Sequence, residues 1–164
     1  MSAPIVRRAG PADARGIAEM LTDLLAATDT SAIAGPVGAA TVRTWMTAAP
    51  ERAVWHLAED EKGAIQGVQW IEPAADLPED MADIATFAAL GRQRLGTGSA
   101  LFAATVPVAR ALGFRWLHAS IRADNEGGLV YYRSRGFEAF GRIADRPLSD
   151  GRRIDRIRMR HDLT

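Results

Sequence analysis

The chain has 164 residues, no cysteine, 48% hydrophobic and 24% charged residues, and a formal net charge of zero. That profile fits one globular N- to C-terminal domain over residues 1–164, large enough to bury a core unaided, and it excludes Cys-ligated zinc and CxxC redox chemistry. No apolar run approaches the roughly 20 residues of a membrane span and residues 1–10 lack the apolar stretch of a secretory signal, so a cytoplasmic protein is expected.

Residues 4–8 fit a first strand, punctuated by Gly10-Pro11. Ile17, Met20, Leu21, Leu24 and Leu25 then recur at helical spacing, so 11–27 reads as an amphipathic helix with Pro11 at its start. Residues 28–38 form a loop by composition, and 39–49 a shorter helix ended by Pro50. The β-like runs 53–59 and 64–72 flank Asp60-Glu61-Lys62-Gly63, which predicts a hairpin. A polar loop over 73–80 precedes an apolar segment of strand length at 81–90. Residues 91–98 make a glycine-bearing turn into a helix over 99–112, in which Pro107 should kink or break the chain. A strand at 115–122, a helix at 126–135 opened by Asn125 and closed by Gly136, and two closing strands at 137–143 and 153–161 complete the order. The result is an α/β fold, β-α-α-β-β-β-α-β-α-β-β: a mixed central sheet of about seven strands flanked by helices, with a parallel βαβ unit over 81–122.

The zero net charge conceals two unlike halves. Residues 1–83 hold six basic against thirteen acidic side chains, and residues 84–164 hold fourteen against seven, so the halves carry −7 and +7. Between Asp83 and Asp124 there is no acid, while Arg92, Arg94, Arg110, Arg115 and Arg122 fall inside the gap. Such an interval suggests an anionic partner.

The turn Gln93-Arg94-Leu95-Gly96-Thr97-Gly98, with Ser99 following, lies between a strand and a helix. Its glycines let backbone N–H groups turn toward a ligand, and the helix start adds positive dipole, which suits a pyrophosphate. A tight strand-to-helix connection would use the same residues. The turn lacks the Gly-Lys-Ser/Thr of a Walker loop and the spacing of a GxGxxG dinucleotide turn.

Gln-x-x-Gly-x-Gly, followed some thirty residues later by Asn125 and then by Tyr132-Arg133-Ser134-Arg135-Gly136-Phe137, resembles the GCN5-related N-acetyltransferases, and the element order resembles that family along the whole chain. The resemblance implies acetyl-CoA as acetyl donor, with its pyrophosphate on the 93–99 turn, Asn125 and Tyr132 as further cofactor contacts, and no metal. It also implies that the backbone of Thr86, Phe87 and Ala88 pairs with the pantetheine arm like an added strand. Tyr132 stands where the family places the phenol that protonates the departing sulfur. Asp83, the one acid on the 81–90 strand, stands where phosphinothricin-type members place a Glu, and is the candidate base for the incoming amine. Glu72, His56 and His118 are reserves. Tyr131 lies about 100° around the helix from Tyr132, and is expected to pack as a buried aromatic away from the reaction.

The acceptor expected from this resemblance is a small-molecule amine, amino-acid-like or an antibiotic, attacking the thioester directly. A protein or peptide N-acetyltransferase and a non-catalytic CoA-binding sensor or interaction module are the alternatives. A homodimer fits the family's habit. Arg152, Arg153, Arg156, Arg158 and Arg160 alternate with Ile157 and Met159 as in a half-exposed strand, and no stacking motif accompanies them, so neither a nucleic-acid nor a membrane partner is expected. Trp45 and Trp70 are candidates to line an acceptor pocket.

Overall fold

The computed structural model describes residues 3–29, 31, 33–92, 96–148 and 150–164, with the side chains of residues 145 and 146 left aside. Its elements are β1 (Ile5–Arg8), α1 (Ala14–Ala27), α2 (Ala39–Thr47), β2 (Val54–Glu59), β3 (Ile65–Pro73), β4 (Met81–Ala88), α3 (Thr97–Ala111), β5 (Trp116–Arg122), α4 (Glu126–Ser134), β6 (Glu138–Pro147) and β7 (Arg153–Asp162). The order agrees with the sequence pattern, with three local differences.

The first helix is preceded by a 3-10 turn over Pro11–Asp13, where Asp13 accepts from the Gly10 amide at 2.9 Å and pairs with Arg7 at 2.7 Å. β6 runs to Pro147 rather than ending near Ile143, because it pairs with β7 through two register shifts that composition does not reveal. Pro107 does not break its helix: α3 is continuous from Thr97 to Ala111. The carbonyl robbed of its donor belongs to Ala103, which lies with Pro107 on the exposed face, where water can serve it, while Leu101, Phe102, Thr105 and Ala109 stay buried.

All seven strands form one sheet in the order β1-β2-β3-β4-β5-β7-β6. Every neighbouring pair is antiparallel except β4 and β5. Strand alternation divides the core into two clusters. One face buries Val54, Ile71, Ala82, Ile84, Leu117, Ala119 and Met159 with Phe102 of α3 and Tyr132 of α4. The other buries Trp55, Leu57, Val68 and Trp70 with Ile17, Leu21, Val42 and Met46 of α1 and α2. Among the described residues, no helix is long and apolar enough to cross a membrane.

Candidate active site

β4 and β5 pair only at Met81 with Trp116, Ala82 with Leu117 and Asp83 with His118. Beyond Asp83 each strand follows its other neighbour, β4 keeping register with β3 to Ala88 and β5 with β7 to Arg122. The sheet therefore splits. A cavity of about 1090 Å³ occupies the split and is lined from both faces: by Gly96, Ser99, Asn125 and Tyr131 on the α3/α4 side, and by Leu24, Ile33, Trp70, Glu72 and Asp83 on the α1/α2 side. Thr86, Phe87 and Ala88 border it with the β4 edge that β5 has left.

At one end stands the start of α3. Gly96 caps it with φ +77°, a left-handed conformation that glycine adopts without strain, and nothing lies within 4 Å of where its Cβ would stand. The first amides of a helix have no intrahelical acceptor and carry the positive dipole end, so Thr97, Gly98 and Ser99 offer an anion site beside the cavity. Gln93, Arg94 and Leu95 lie outside the described residues. The helix start is seated on β3 through Gly67, where a Cβ would meet Thr97 Cγ2 at 2.8 Å and the Phe87 carbonyl at 2.9 Å. An isolated glycine in a strand pattern was the available sequence signal for that close approach.

Two described cations of the acid-free interval have partners within the chain, and one of them, Arg122, lines the cavity. Arg110, at the far end of α3, donates to the Leu163 carbonyl at 2.7 Å, and Arg122 is buried in a pair with Asp124 at 2.7 Å.

Asn125 caps α4, its Oδ1 accepting from the Gly128 amide at 2.9 Å. Its own amide group fills the space a Gly128 Cβ would need, at 2.7 Å from Nδ2, which explains the helix-weakening glycine there. The two tyrosines differ from the expectation. Tyr132 is the fully buried ring and Tyr131 the half-buried one, and both line the cavity. Tyr132 donates to Thr86 Oγ1 at 2.9 Å, and Tyr131 to the Gly98 carbonyl at 2.8 Å. Gln69 Nε2 joins them, donating to Thr86 Oγ1 at 2.9 Å and to the Tyr131 hydroxyl at 3.2 Å. The rings sit 4.9 Å apart, so a one-residue offset on this short helix still brings both phenols to one opening. Burial pushes both phenols up, Tyr132 most, so each stays protonated across the working pH range. Gln69 was not anticipated, although a fully buried Gln between Val68 and Trp70 is the kind of polar intrusion that marks a network.

On the opposite face Glu72 and Asp83 are register partners on β3 and β4. Burial raises the Glu72 carboxyl and the neighbouring Asp83 charge adds to the effect, with the Trp70 indole partly offsetting both. Trp70 lines the cavity and stacks between Trp55 at 4.0 Å and Phe87 at 5.5 Å, while Trp45 lies behind it at 6.1 Å. His56 is buried beside Thr105, and burial pulls it down to about 4, which keeps it a neutral core residue. Among the described residues, no cluster of three or more His, Asp or Glu could hold a metal.

No protein-family model and no curated protein sequence matches the chain. Solved structures do. An N-acetyltransferase from Staphylococcus aureus Mu50 superposes with TM-score 0.87 at 19% identity, covering 99% of this chain and 100% of that one. A GNAT superfamily phosphinothricin acetyltransferase from Sinorhizobium meliloti, solved with acetyl-CoA, gives TM-score 0.87 at 22% identity over 98% and 89% of the two chains. The chain has the GNAT acetyltransferase fold. A ribosomal-protein-alanine N-acetyltransferase from Brucella melitensis shares that GNAT fold with it, at TM-score 0.86 and 22% identity over 96% of this chain and 99% of that one.

Proposed function

We propose that the chain is an acetyl-CoA-dependent N-acetyltransferase, one domain over residues 1–164 and cytoplasmic, that moves acetyl to the amine of a small molecule, amino-acid-like or an antibiotic. The observation that carries the reading is the split sheet: one cavity joins the amide-rich start of α3 on one face to the Glu72–Asp83 pair on the other. A donor with a phosphorylated tail and a cationic acceptor would thus approach the same point from opposite sides. The fit to acetyl-CoA rests on the unpaired β4 edge and on the open space above Gly96.

In this reading the amides of Gly96, Thr97, Gly98 and Ser99 hold the pyrophosphate, with Gln93, Arg94 and Leu95 as the rest of the turn. Asn125 is a further contact to the donor, and the backbone of Thr86, Phe87 and Ala88 holds the pantetheine arm. The acceptor arrives as an ammonium, drawn by Glu72 and Asp83, and Asp83 takes its proton to expose the nitrogen lone pair. The nitrogen attacks the thioester carbonyl, the C–N bond forms, and the C–S bond breaks. Tyr132, turning from Thr86, protonates the departing sulfur, and the second proton that the acylated nitrogen must lose passes to water, from which the phenol regains its own. The apolar wall of Leu24, Ile33 and Trp70 suits an acceptor with a hydrocarbon portion.

A protein tail as acceptor needs an open groove. Here Ser31 and Asp29, after α1, are tethered by two arginines, Arg122 donating to the Ser31 carbonyl at 3.2 Å and Arg152 pairing with Asp29 at 2.7 Å, which supports a small acceptor. A panel of amino acids, polyamines, aminoglycosides and N-terminal peptides, read by thiol release from acetyl-CoA, tests this. Turnover on small amines is expected. Turnover on peptides alone would move the assignment to a protein acetyltransferase, and acetyl-CoA binding without turnover on any amine would make the chain a CoA-binding module.

A further inference from the structure

Three strands contribute to a hydrogen-bonded line that ends at the acceptor side of the cavity. Arg158 on β7 donates from Nε to His118 Nε2 at 3.1 Å. An accepting Nε2 carries no hydrogen, so the ring proton is on Nδ1, which faces Asp83 Oδ1 at 2.8 Å and donates to it. The ring is buried, with 7% of its side chain exposed, while Asp83 keeps 39% of its side chain exposed and lines the cavity. Phe140 on β6 braces the line, its ring 4.8 Å below the Arg158 guanidinium and 5.8 Å from the imidazole.

Both ring nitrogens of His118 are thereby committed, which removes it as a base toward the cavity. Its effect falls on Asp83. A carboxylate on a strand can rotate about two bonds, and a donor fixed on Oδ1 leaves Oδ2 as the oxygen available to a ligand. We propose that His118, held by Arg158, is a positioning residue that fixes the Asp83 carboxylate for the incoming amine. This rests on the acetyltransferase reading, in which an acceptor N–H bond breaks, its electron pair stays on nitrogen, and the proton goes to Asp83 and then to water. A bound ammonium and a mobile carboxylate would meet less often in reacting geometry, so loss of the line should lower kcat and spare the affinity for acetyl-CoA.

The test has two arms. In ¹⁵N-histidine spectra of the ligand-free chain, His118 is expected as the Nδ1–H form with a bare Nε2, and Arg158→Leu should change that signature. An Nε2–H ring in the wild type would overturn the proposal regardless of activity. In the second arm, His118→Phe keeps an aromatic ring at the edge contact with Phe140 without a donor, whereas His118→Asn restores a short-reach N–H to Asp83. With the best amine of the panel, kcat of the Phe variant should drop roughly 10- to 100-fold with the KM for acetyl-CoA unchanged, and the Asn variant should recover much of it. Unchanged kcat in the Phe variant, or equal losses in both variants, would overturn the positioning role. The correct ring form in a wild type that acetylates no amine would refute the acetyltransferase reading and the role with it, while leaving the line itself established.

Discussion

Tyr131 lies across the first turn of α3 at Gly98: its hydroxyl donates to the Gly98 carbonyl at 2.8 Å, and its Cε1 stands 2.6 Å from where a Cβ on Gly98 would be. The second glycine of the turn thus serves the packing of α4 on α3. Gly98→Ala should destabilise the fold by about 1–3 kcal/mol through overpacking. Tyr131→Leu should relieve much of that loss, so a double-mutant cycle by thermal unfolding checks the contact. Additive losses would show that the two residues are not in conflict.

Tyr132→Phe removes the donor to Thr86 Oγ1, which retains Gln69 as a partner. Its cost to stability should be only about 1 kcal/mol. Turnover should fall by about 100-fold or more if the phenol serves the departing sulfur, with acetyl-CoA affinity little changed. Steady-state thiol release and a thermal-shift titration separate the two quantities, and an unchanged kcat would remove Tyr132 from that role.

Glu72 offers a test in pH. Its folded-state carboxyl is raised, mainly by burial and then by the Asp83 charge, so the proton is held more tightly in the folded chain than in the unfolded one. The stability this gives is fully present below the unfolded carboxyl range and is lost as pH rises through the folded value. Glu72→Gln, which cannot ionise, should therefore unfold at a higher temperature than the wild type at pH 8, with the gap closing toward pH 4. A gap that widens on acidification would contradict the assignment.

Arg122 has only 3% of its surface exposed and makes three contacts in two segments: Asp124 at 2.7 Å, and, after α1, Asp29 at 3.6 Å and the Ser31 carbonyl at 3.2 Å. Arg122→Met should free the segment after α1 and leave Asp124 without its main partner. Faster hydrogen exchange and protease cleavage within residues 28–38 are expected, with β2 and β3 unaffected. Protection unchanged in that segment would show that it is held by other contacts.

The element order was readable because burial imposes period 3.6 on α1 and period 2 on the strands, and because glycine and proline mark the turns. The chemistry was less readable wherever it depends on register. Asp83 and His118 face each other because β4 and β5 pair for three residues, and Arg158 reaches the ring because β7 lies beside β5. Nothing local in 116–122 or 153–162 encodes that meeting. Gln69, Thr86 and the two tyrosines come from β3, β4 and α4, so their network exists only once the strands are ordered. Arg110 shows the converse: it follows the turn in the same acid-free interval, yet α3 carries it a helix length away, to the Leu163 carbonyl.

The parting of β4 and β5 after Asp83 has a kinetic corollary. A passage through a sheet has two doors, so neither reactant must wait for the other to clear the way, and both can be resident when the bond is made. No acyl group then needs to be parked on a side chain between half-reactions. Initial-rate plots at several fixed concentrations of the second substrate should accordingly intersect, whereas parallel lines would mean that the two doors are never used at once.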